Sequence, residues 1–371
     1  MRDGLPLAID LYCGAGGLSH GLKTSGLKVV LAIDKDPGAY RVYRENNPDT
    51  MALWSEIERI RNFQSLLSQM GFSYKEIDLV AGGPPCQGFS VANKQSRGPN
   101  NGKAELLKFF DAVKQIHPGM FLMENVVGLL SIDEGRLVND LIGRFENIGY
   151  EVETKVVDAA DFGVPQHRRR VFMVGSTLGK FRFPRETHGP KGRKSFVSVR
   201  EAIVGDLPPL DGTQGDRVSS YFADPTSHYQ QILRRRNRIL YDHVVTVNND
   251  IVKRRIKLIA QGVSLVDLVK TGKVPQELLI TIDHKSVYRR LDPRVPSVTV
   301  GCFRKAMLIH PEEDRLLSLR EAARLQSFPD RYRFSGLLGS MQQVVGDAIP
   351  PVLSRSLSRM TRRLILGRHP N

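Results

Sequence analysis

A strand, a glycine-rich turn, a helix and a second strand open the chain, and this unit limits the folds available to it. The strand Leu7–Tyr12 runs into Cys13–Leu18, a helix is predicted from Ser19 to Thr24, and the strand Lys28–Ile33 ends at Asp34. Strand–helix–strand order favours a parallel sheet. Glycines let backbone approach a ligand at a helix start, and a carboxylate about 20 residues later suits ribose hydroxyls. The unit predicts an open α/β sheet with a nucleoside site, although a purely structural glycine turn is the alternative.

Alternation of strands and helices continues to about Gly175 and predicts an α/β domain with a mixed, mostly parallel sheet. Residues 37–72 are interpreted as helical with breaks, and the segment 54–57 as a second nucleoside contact. The final helix is predicted at Val352–Ile365. The other predicted strands and helices are Ile77–Ala81, Ala104–His117, Met120–Met123, Gly135–Ile148 and Val152–Val157.

Composition excludes several classes of protein. No apolar run reaches the roughly 18 residues of a membrane span. The chain enters a strand within its first residues, so we expect no signal peptide. Three cysteines (Cys13, Cys86 and Cys302) among 371 residues form neither a disulfide framework nor a zinc-type spacing and favour a reducing, intracellular compartment. A formal net charge of +15 favours a polyanionic partner such as nucleic acid over simple solubilising charge.

The stretch Gly82–Ser90 places a thiol after a rigid elbow. Two glycines and two prolines stop the preceding strand, and Cys86 is the first reactive side chain after them. A thiol at the carboxyl end of a buried strand is well placed to act as a nucleophile. A buried, inert cysteine beside a tight turn is the alternative.

Two later strand ends carry polar groups of the kind that a catalytic thiol needs. Glu124 directly follows four apolar residues, which predicts a partly desolvated carboxylate, with a helix-capping glutamate as the alternative. Gln166, Arg168 and Arg170 alternate along a segment predicted to be extended, so they would share one face and bind an anion. A plain basic surface strand is the alternative for these three.

Between about Arg182 and Pro311 the chain is irregular, basic and rich in turns. It carries four basic clusters, at 191–194, 234–238, 253–255 and 289–290. Four such clusters in one region favour contact with phosphates over solvated surface charge.

The motifs resemble, in their order along the chain, those of the DNA cytosine-C5 methyltransferases that use S-adenosyl-L-methionine. This resemblance implies a Rossmann-like methyltransferase domain with a smaller, irregular target-recognition domain. The matching stretches are Asp10–Gly17, Gly83–Gln87, Glu124–Val126, Gln166-x-Arg168-x-Arg170, Arg320–Pro329 and Gly346–Pro351.

The resemblance implies a set of catalytic roles. Cys86 would attack C6 of cytosine, and Arg168 would support its thiolate. Glu124 would hold a proton at N3, Arg170 would bind the O2 oxygen, and Asn125 would fix the loop geometry. No metal is implied.

The resemblance also implies S-adenosyl-L-methionine as the methyl donor, and the chain departs from the family pattern at its binding motifs. Tyr12 stands where the family usually has Phe, Asp347 where it has Asn, and Val344 where it has Gln. Glu56 stands where an Asp is usual. The implied cofactor-binding residues are Tyr12, Gly14, Gly17, Leu18, Asp34, Lys35, Glu56, Ile57, Pro84, Leu106, Asp347 and Ala348.

Base flipping is implied because the target carbon cannot be reached inside a stacked duplex, and the loop 87–102 is the expected lid. We assign 1–181 and 342–371 to the catalytic domain and 182–341 to target recognition. The predicted contacts with double-stranded DNA are Gln87, Ser90, Gln166, Arg234, Arg235 and Arg236.

The size of the chain resembles that of monomeric bacterial modification enzymes, which act in the cytoplasm on the sequence that a cognate restriction endonuclease cuts. Three alternatives stay open. They are a tRNA cytosine-C5 methyltransferase, a non-catalytic DNA-binding relative and an unrelated nucleoside-binding enzyme.

Overall fold

A computed structural model describes residues 4–85, 100–210, 214–280 and 287–367. The chain divides into two compact units, which are treated separately below. The first comprises Met1–Asp158, Arg169–Arg185 and Leu353–Asn371, and the second comprises Ala159–Arg168 and Glu186–Val352.

These units differ from the predicted domain boundaries at three places. Residues 159–168 belong to the second unit because Gln166 forms a β-bridge with Ser297. Residues 342–352 also belong to it, because the helix at 338–347 packs on helices of that unit. Residues 182–185 belong to the first unit.

The first unit alternates strands and helices as the sequence predicts. Its elements up to residue 185 are β1 (Leu7–Leu11), α1 (Gly17–Thr24), β2 (Lys28–Asp34), α2 (Pro37–Asn46), β3 (Met51–Trp54), α3 (Phe63–Gln69), β4 (Ile77–Gly82), α4 (Asn100–Ile116), β5 (Met120–Val126), α5 (Arg136–Glu146), β6 (Glu151–Asp158) and β7 (Arg169–Ser176).

Seven strands form one sheet in the order β3-β2-β1-β4-β5-β7-β6. The strands β3, β2, β1, β4 and β5 run parallel, whereas β7 is antiparallel to both β5 and β6. The predicted mixed, mostly parallel sheet is therefore confirmed. The helical interpretation of residues 37–72 was wrong at β3, a short edge strand whose terminal residues Met51 and Trp54 are exposed and give it no apolar periodicity.

The core of the first unit lies on the central strands. β4 and β5 are buried almost throughout because helices cover both faces of a parallel sheet. Phe121 of β5 stacks on Phe145 of α5 at a ring-centroid distance of 3.9 Å, and Phe109 of α4 meets Phe121 edge-on. This rigid centre fixes the carboxyl ends of the parallel strands at one edge of the sheet.

The C-terminal helix packs against α1. Gly21 leaves room for Ser354, since a Cβ at Gly21 would clash with the serine side chain. The Ser354 hydroxyl donates to the carbonyl oxygen of Leu18 at 2.9 Å. The end of the chain thereby braces the helix that follows the glycine-rich turn.

The second unit has little regular structure, and buried arginines organise it. The Arg324 guanidinium is fully buried and donates to the carboxylates of Asp206 and Asp330.

Among the helices of the described residues, none is long and apolar enough to cross a membrane. The remaining elements in chain order are α6 (Val199–Ile203), β8 (Gly215–Ser220), α7 (His228–Arg234), β9 (Ile239–Val244), α8 (Asp250–Leu258), α9 (Leu265–Val269), α10 (Phe303–Ala306), α11 (Leu319–Leu325), α12 (Leu338–Asp347) and α13 (Pro351–Ile365).

Candidate active site

A pocket lies at the carboxyl ends of β1, β2 and β3 in the first unit. Its empty volume is about 270 Å³, and its lining carries four carboxylates and two ammonium groups. A pocket of this balance suits a positively charged ligand. The lining residues are Tyr12, Ile33, Asp34, Lys35, Ser55, Glu56, Ile57, Glu58, Glu105 and Lys108.

Asp34 is tied to the glycine-rich turn. Its Oδ2 accepts a hydrogen bond from the Gly14 N–H at 2.8 Å, and its Oδ1 accepts from the Asp36 N–H at 2.8 Å. Gly14 and Gly16 both have positive φ, so the turn requires residues without a Cβ. Burial raises the pKa of the Asp34 carboxyl, and the two N–H groups oppose that rise. The Asp34 carboxylate therefore lies at the end of β2 and also fixes the glycine-rich turn.

A chain of polar contacts that the sequence did not reveal crosses the pocket. The Tyr12 hydroxyl donates to Glu105 Oε2 at 3.0 Å. Lys108 pairs with Glu105 at 3.1 Å and with Glu58 at 2.6 Å. Burial, together with the Glu105 charge, raises the pKa of Tyr12. The hydroxyl that distinguishes Tyr12 from phenylalanine therefore joins the glycine-rich turn to α4. In the sequence, the spacing of Glu105 and Lys108 by one helical turn was the only indication of these contacts.

The other predicted cofactor residues do not line this pocket. Gly17 and Leu18 open α1, and Leu106 is core, being 1% exposed. Asp347 and Ala348 belong to the second unit, where Asp347 accepts from the Gln343 side chain at 2.7 Å. Pro84, also predicted, is described with the catalytic residues below.

The role predicted for Asp34 in the sequence analysis implies that Asp34→Asn weakens binding of S-adenosyl-L-methionine about 10- to 100-fold, because a hydrogen bond to a charged group is removed. Isothermal calorimetry measures this change, and thermal melting checks that the fold is intact. Asp140→Asn is the matched control, since Asp140 is exposed and pairs only with Arg144 on α5 in the described residues. Equal affinity of Asp34→Asn and the control would refute the assigned role.

Asp10 is a buried carboxyl near the end of β1. Its Oδ2 accepts from the Ser19 hydroxyl at 2.6 Å, and Oδ1 is buried with no hydrogen-bond partner among the described residues. Burial raises the pKa of Asp10 to about 7. The folded protein therefore keeps this proton to a higher pH than the unfolded chain does.

Since a raised carboxyl pKa makes the native state bind more protons, unfolding free energy should fall as pH rises from about 4 to 7. Asp10→Asn removes this dependence. One pKa unit corresponds to about 1.4 kcal/mol. We therefore expect the unfolding free energy of the variant, relative to that of the wild type, to rise by up to about 4 kcal/mol between pH 4 and 8. Urea denaturation at several pH values tests this, and parallel stability profiles for the two proteins would contradict it.

Glu124 and Arg170 form an ion pair in the first unit. Because β7 is antiparallel to β5, its first residues lie beside the end of β5, and Arg170 stands opposite Val126. The Arg170 Nε lies 2.9 Å from Glu124 Oε1, and both side chains are largely buried. The arrangement places a carboxylate and a guanidinium together at the edge where the parallel strands end.

Asn125 braces the elbow before the predicted nucleophile. Its Nδ2 donates to the carbonyl oxygen of Pro84 at 3.0 Å, and its Oδ1 accepts from the Val126 N–H at 2.8 Å. The first of these bonds fixes the peptide two residues before Cys86. The predicted site residues Cys86, Gln87 and Ser90, together with most of the predicted lid, lie outside the described residues.

Gln166 and Arg168 lie in the second unit, not on one strand with Arg170. The strand β7 begins at Arg169, so Gln166 and Arg168 precede it, and burial alternates from Gln166 to Arg169 with Gln166 and Arg168 buried. Gln166 is fully buried, and its amide donates to Gln326 Oε1 at 2.9 Å. The amide of this predicted DNA contact thus braces the second unit internally.

The Arg168 guanidinium binds backbone carbonyl groups of the second unit. Nη1 donates to Gly346 at 2.9 Å and to Val300 at 3.2 Å, and Nη2 donates to Asp347 at 3.3 Å. Its side chain is buried. In this geometry Arg168 holds the segment that carries the final motif.

The three arginines predicted to bind DNA differ in their surroundings. The Arg234 guanidinium lies 3.8 Å from the centre of the Tyr221 ring and donates to the Ala223 carbonyl at 2.7 Å. Arg235 and Arg236 are exposed just beyond the end of α7. Arg234 is therefore held by contacts within the second unit, whereas Arg235 and Arg236 lie at its surface.

One group of metal-type ligands in the described residues, His310, Glu313 and Glu321, is occupied by protein contacts. Arg315 donates to both carboxylates, with Nη2 at 2.7 Å from each. His310 Nδ1 accepts backbone N–H groups of residues 312 and 313. The cluster is a buried ion network and carries no argument for a metal.

An open, mostly parallel sheet with a ligand pocket at its carboxyl edge defines a protein of the Rossmann-like methyltransferase fold. A solved structure from E. coli, described as a prophage-encoded DNA modification methyltransferase, superposes with a TM-score of 0.79 and 25% identity. The alignment covers 97% of this chain and 99% of that one.

The sequence matches the family of C-5 cytosine-specific DNA methylases over residues 7–362, and the chain belongs to that family. It is 31% identical to the type II methyltransferase M.AgeI of Thalassovita gelatinovora, over 94% of this chain and 97% of the relative. It is 32% identical to the type II methyltransferase M.DdeI of Desulfomicrobium norvegicum, over 94% of this chain and 87% of the relative. The predicted family and the enzyme class, a DNA (cytosine-5)-methyltransferase, are thereby confirmed.

Proposed function

We propose that this protein transfers the methyl group of S-adenosyl-L-methionine to C5 of a flipped-out cytosine within a specific double-stranded DNA sequence. The observation that carries this proposal is the Glu124–Arg170 pair, at 2.9 Å, beside a backbone elbow that Asn125 holds. Both features lie on the sheet edge that also bears the acidic pocket. The catalytic groups and the methyl donor would thus share one edge of one sheet.

The reaction needs a nucleophile because C5 of cytosine is itself a poor one. The Cys86 thiolate would add to C6, which removes the aromaticity of the ring and turns C5 into an enamine-like carbon. Glu124 would hold a proton at N3, and Arg170 would bind the O2 oxygen, so that both absorb charge that attack pushes into the ring. Once C5 has formed its bond to the methyl group, loss of the C5 proton and elimination of the thiol would restore the aromatic ring.

The pocket residues fit S-adenosyl-L-methionine by their chemistry. When bound, this cofactor supplies an electrophilic methyl carbon. Asp34 would accept from its ribose hydroxyls, and Gly14 would let backbone approach it closely. The lining as a whole carries four carboxylates against two ammonium groups, and this net negative charge would favour a cofactor with sulfonium and ammonium charges. Tyr12 and Glu105 would hold the wall of this pocket through their hydrogen bond.

We further infer that the enzyme is the modification partner of a restriction–modification system. Its two relatives above are named type II methyltransferases and are aligned over most of their length. A cognate endonuclease would cut the same sequence without contacting this protein. A monomer in the bacterial cytoplasm, next to the chromosome that it protects, fits this role.

Bisulfite sequencing of a plasmid from cells that express the protein tests both the chemistry and the target. We expect conversion-resistant cytosines at one recurring sequence, and none with an empty vector. Methylation of tRNA instead of plasmid DNA would favour the RNA-modifying alternative. Full conversion of the plasmid, with no methyl transfer to tRNA, would favour the non-catalytic relative.

A further inference from the structure

The four basic clusters of the second unit differ in what their side chains bind. In the cluster at 253–255, Arg254 pairs with Glu277 at 2.8 Å. Arg255 donates to the Leu278 carbonyl at 2.9 Å, and Lys253 lies 3.8 Å from the Asp250 carboxylate. These three cations are engaged by their own surroundings.

The clusters at 289–290 and 234–238 are also engaged in part. Arg290 is buried and donates to Asp314 and to four backbone carbonyl groups. Arg289 donates to the Gly262 carbonyl at 2.7 Å. Arg234 lies on the Tyr221 ring, as described above. Only the later residues of the 234–238 cluster face solvent.

The cluster at 191–194 has no such internal partners. Lys191, Arg193 and Lys194 are all exposed. Within the part of the chain that the structure describes, none of the three takes part in an ion pair. Three cations within four residues, none of them in an ion pair with a described carboxylate, favour an external anion.

The backbone that carries these cations is held rigidly. The N–H groups of Thr187 and His188 donate to the Asp161 carbonyl, and those of Arg193 and Lys194 donate back to the Thr187 carbonyl. Gly192 lies so close to the Thr187 and His188 backbone that a Cβ there would clash. Because the backbone is held in this way, binding has to order the charged side chains but not the turn itself, which lowers the entropic cost.

We propose that the turn 187–194 is a phosphate-binding element that grips the backbone of duplex DNA. This inference rests on the proposed function, in which duplex DNA is the substrate. Duplex DNA carries one negative charge per roughly 1.7 Å of its axis, so a short turn with three cations meets several phosphates at once. Such contacts set affinity and position but carry no base sequence.

The test compares two triple variants, each of which removes three positive charges. Lys191→Gln, Arg193→Gln and Lys194→Gln change the turn. Lys253→Gln, Arg254→Gln and Lys257→Gln form the control on α8, where all three residues are also exposed. The turn variant should bind a fluorescent duplex about 10- to 100-fold more weakly at about 0.1 M salt. The slope of log K against log salt should fall by about 0.9 for each phosphate that the variant no longer neutralises.

The turn variant should keep the wild-type methylated sequence and the wild-type turnover at saturating DNA. Equal weakening by both triple variants, or no weakening by the turn variant, would overturn the proposal. So would a wild-type protein that does not bind duplex DNA. If the wild type binds DNA and transfers no methyl group, the proposed function fails, and selective loss of binding by the turn variant still supports the turn.

Discussion

A Cys86→Ser enzyme is expected to lose methyl transfer to cytosine by a factor on the order of 10⁴ or more, the scale seen when a catalytic nucleophile is removed. A cysteine is a few per cent thiolate near neutral pH, whereas a serine hydroxyl is almost entirely protonated and needs a separate base. The variant should still bind S-adenosyl-L-methionine and DNA, because the pocket and the second unit are unchanged. Transfer of a tritiated methyl group, with calorimetry for binding, measures both properties.

The structural basis of this expectation is the elbow that precedes Cys86. The strand β4 ends at Gly82, where a Cβ would clash with the Leu11 carbonyl, and Asn125 then fixes the Pro84 peptide. The described part of the elbow therefore lies at the carboxyl edge of the sheet, where Glu124 and Arg170 also form their ion pair.

The other cysteines supply controls for the Cys86 experiment. Cys302 is partly exposed, and Cys13 is buried, which raises the pKa of its thiol and makes it a poor nucleophile. Cys302→Ser should keep wild-type activity. A duplex with 5-fluorocytosine adds a direct test. Fluorine replaces the C5 proton and cannot leave as a cation, so the thiol cannot be eliminated and the Cys86 adduct should survive in a denaturing gel. Full activity of Cys86→Ser would sink the nucleophile assignment.

Most of the sheet could be predicted because its strands are buried on both faces and therefore appear as short apolar runs. The exceptions to this burial are the two edge strands. β3 carries exposed Met51 and Trp54 and has no such run, and β6 is only half-buried over most of its length. Asp34 could be predicted as well, because a carboxylate at the end of a buried strand is a local pattern.

Side-chain pairing between distant segments could not be predicted. The Glu124–Arg170 pair depends on β7 running antiparallel to β5, and the sequence does not state strand direction. The Tyr12–Glu105 bond joins residues 93 positions apart. In the second unit, the sequence does not distinguish arginines such as Arg290 and Arg324 from exposed cations, yet both are buried and paired with carboxylates. Only the fold separates these structural cations from the exposed ones of the 187–194 turn.

Glu124→Gln should lower the turnover number about 10²- to 10⁴-fold, the range for loss of a positioned acid–base group. The amide has nearly the same shape as the carboxyl, but it cannot hold or donate the proton that N3 requires during attack. The affinities for S-adenosyl-L-methionine and for DNA should stay within a few-fold of wild type. Single-turnover methyl transfer, with both dissociation constants measured separately, tests the prediction.

The control for this experiment is Glu153→Gln on β6, whose carboxylate pairs with Lys180 at 2.8 Å and lies away from the strand ends. If both variants keep full turnover, Glu124 serves only to hold Arg170 and has no part in proton transfer. If Glu124→Gln instead loses DNA affinity and turnover together, the residue binds the base in the ground state. Only a loss of turnover at unchanged affinity assigns Glu124 to the step in which charge develops on the ring, because such a loss removes an interaction made in the transition state.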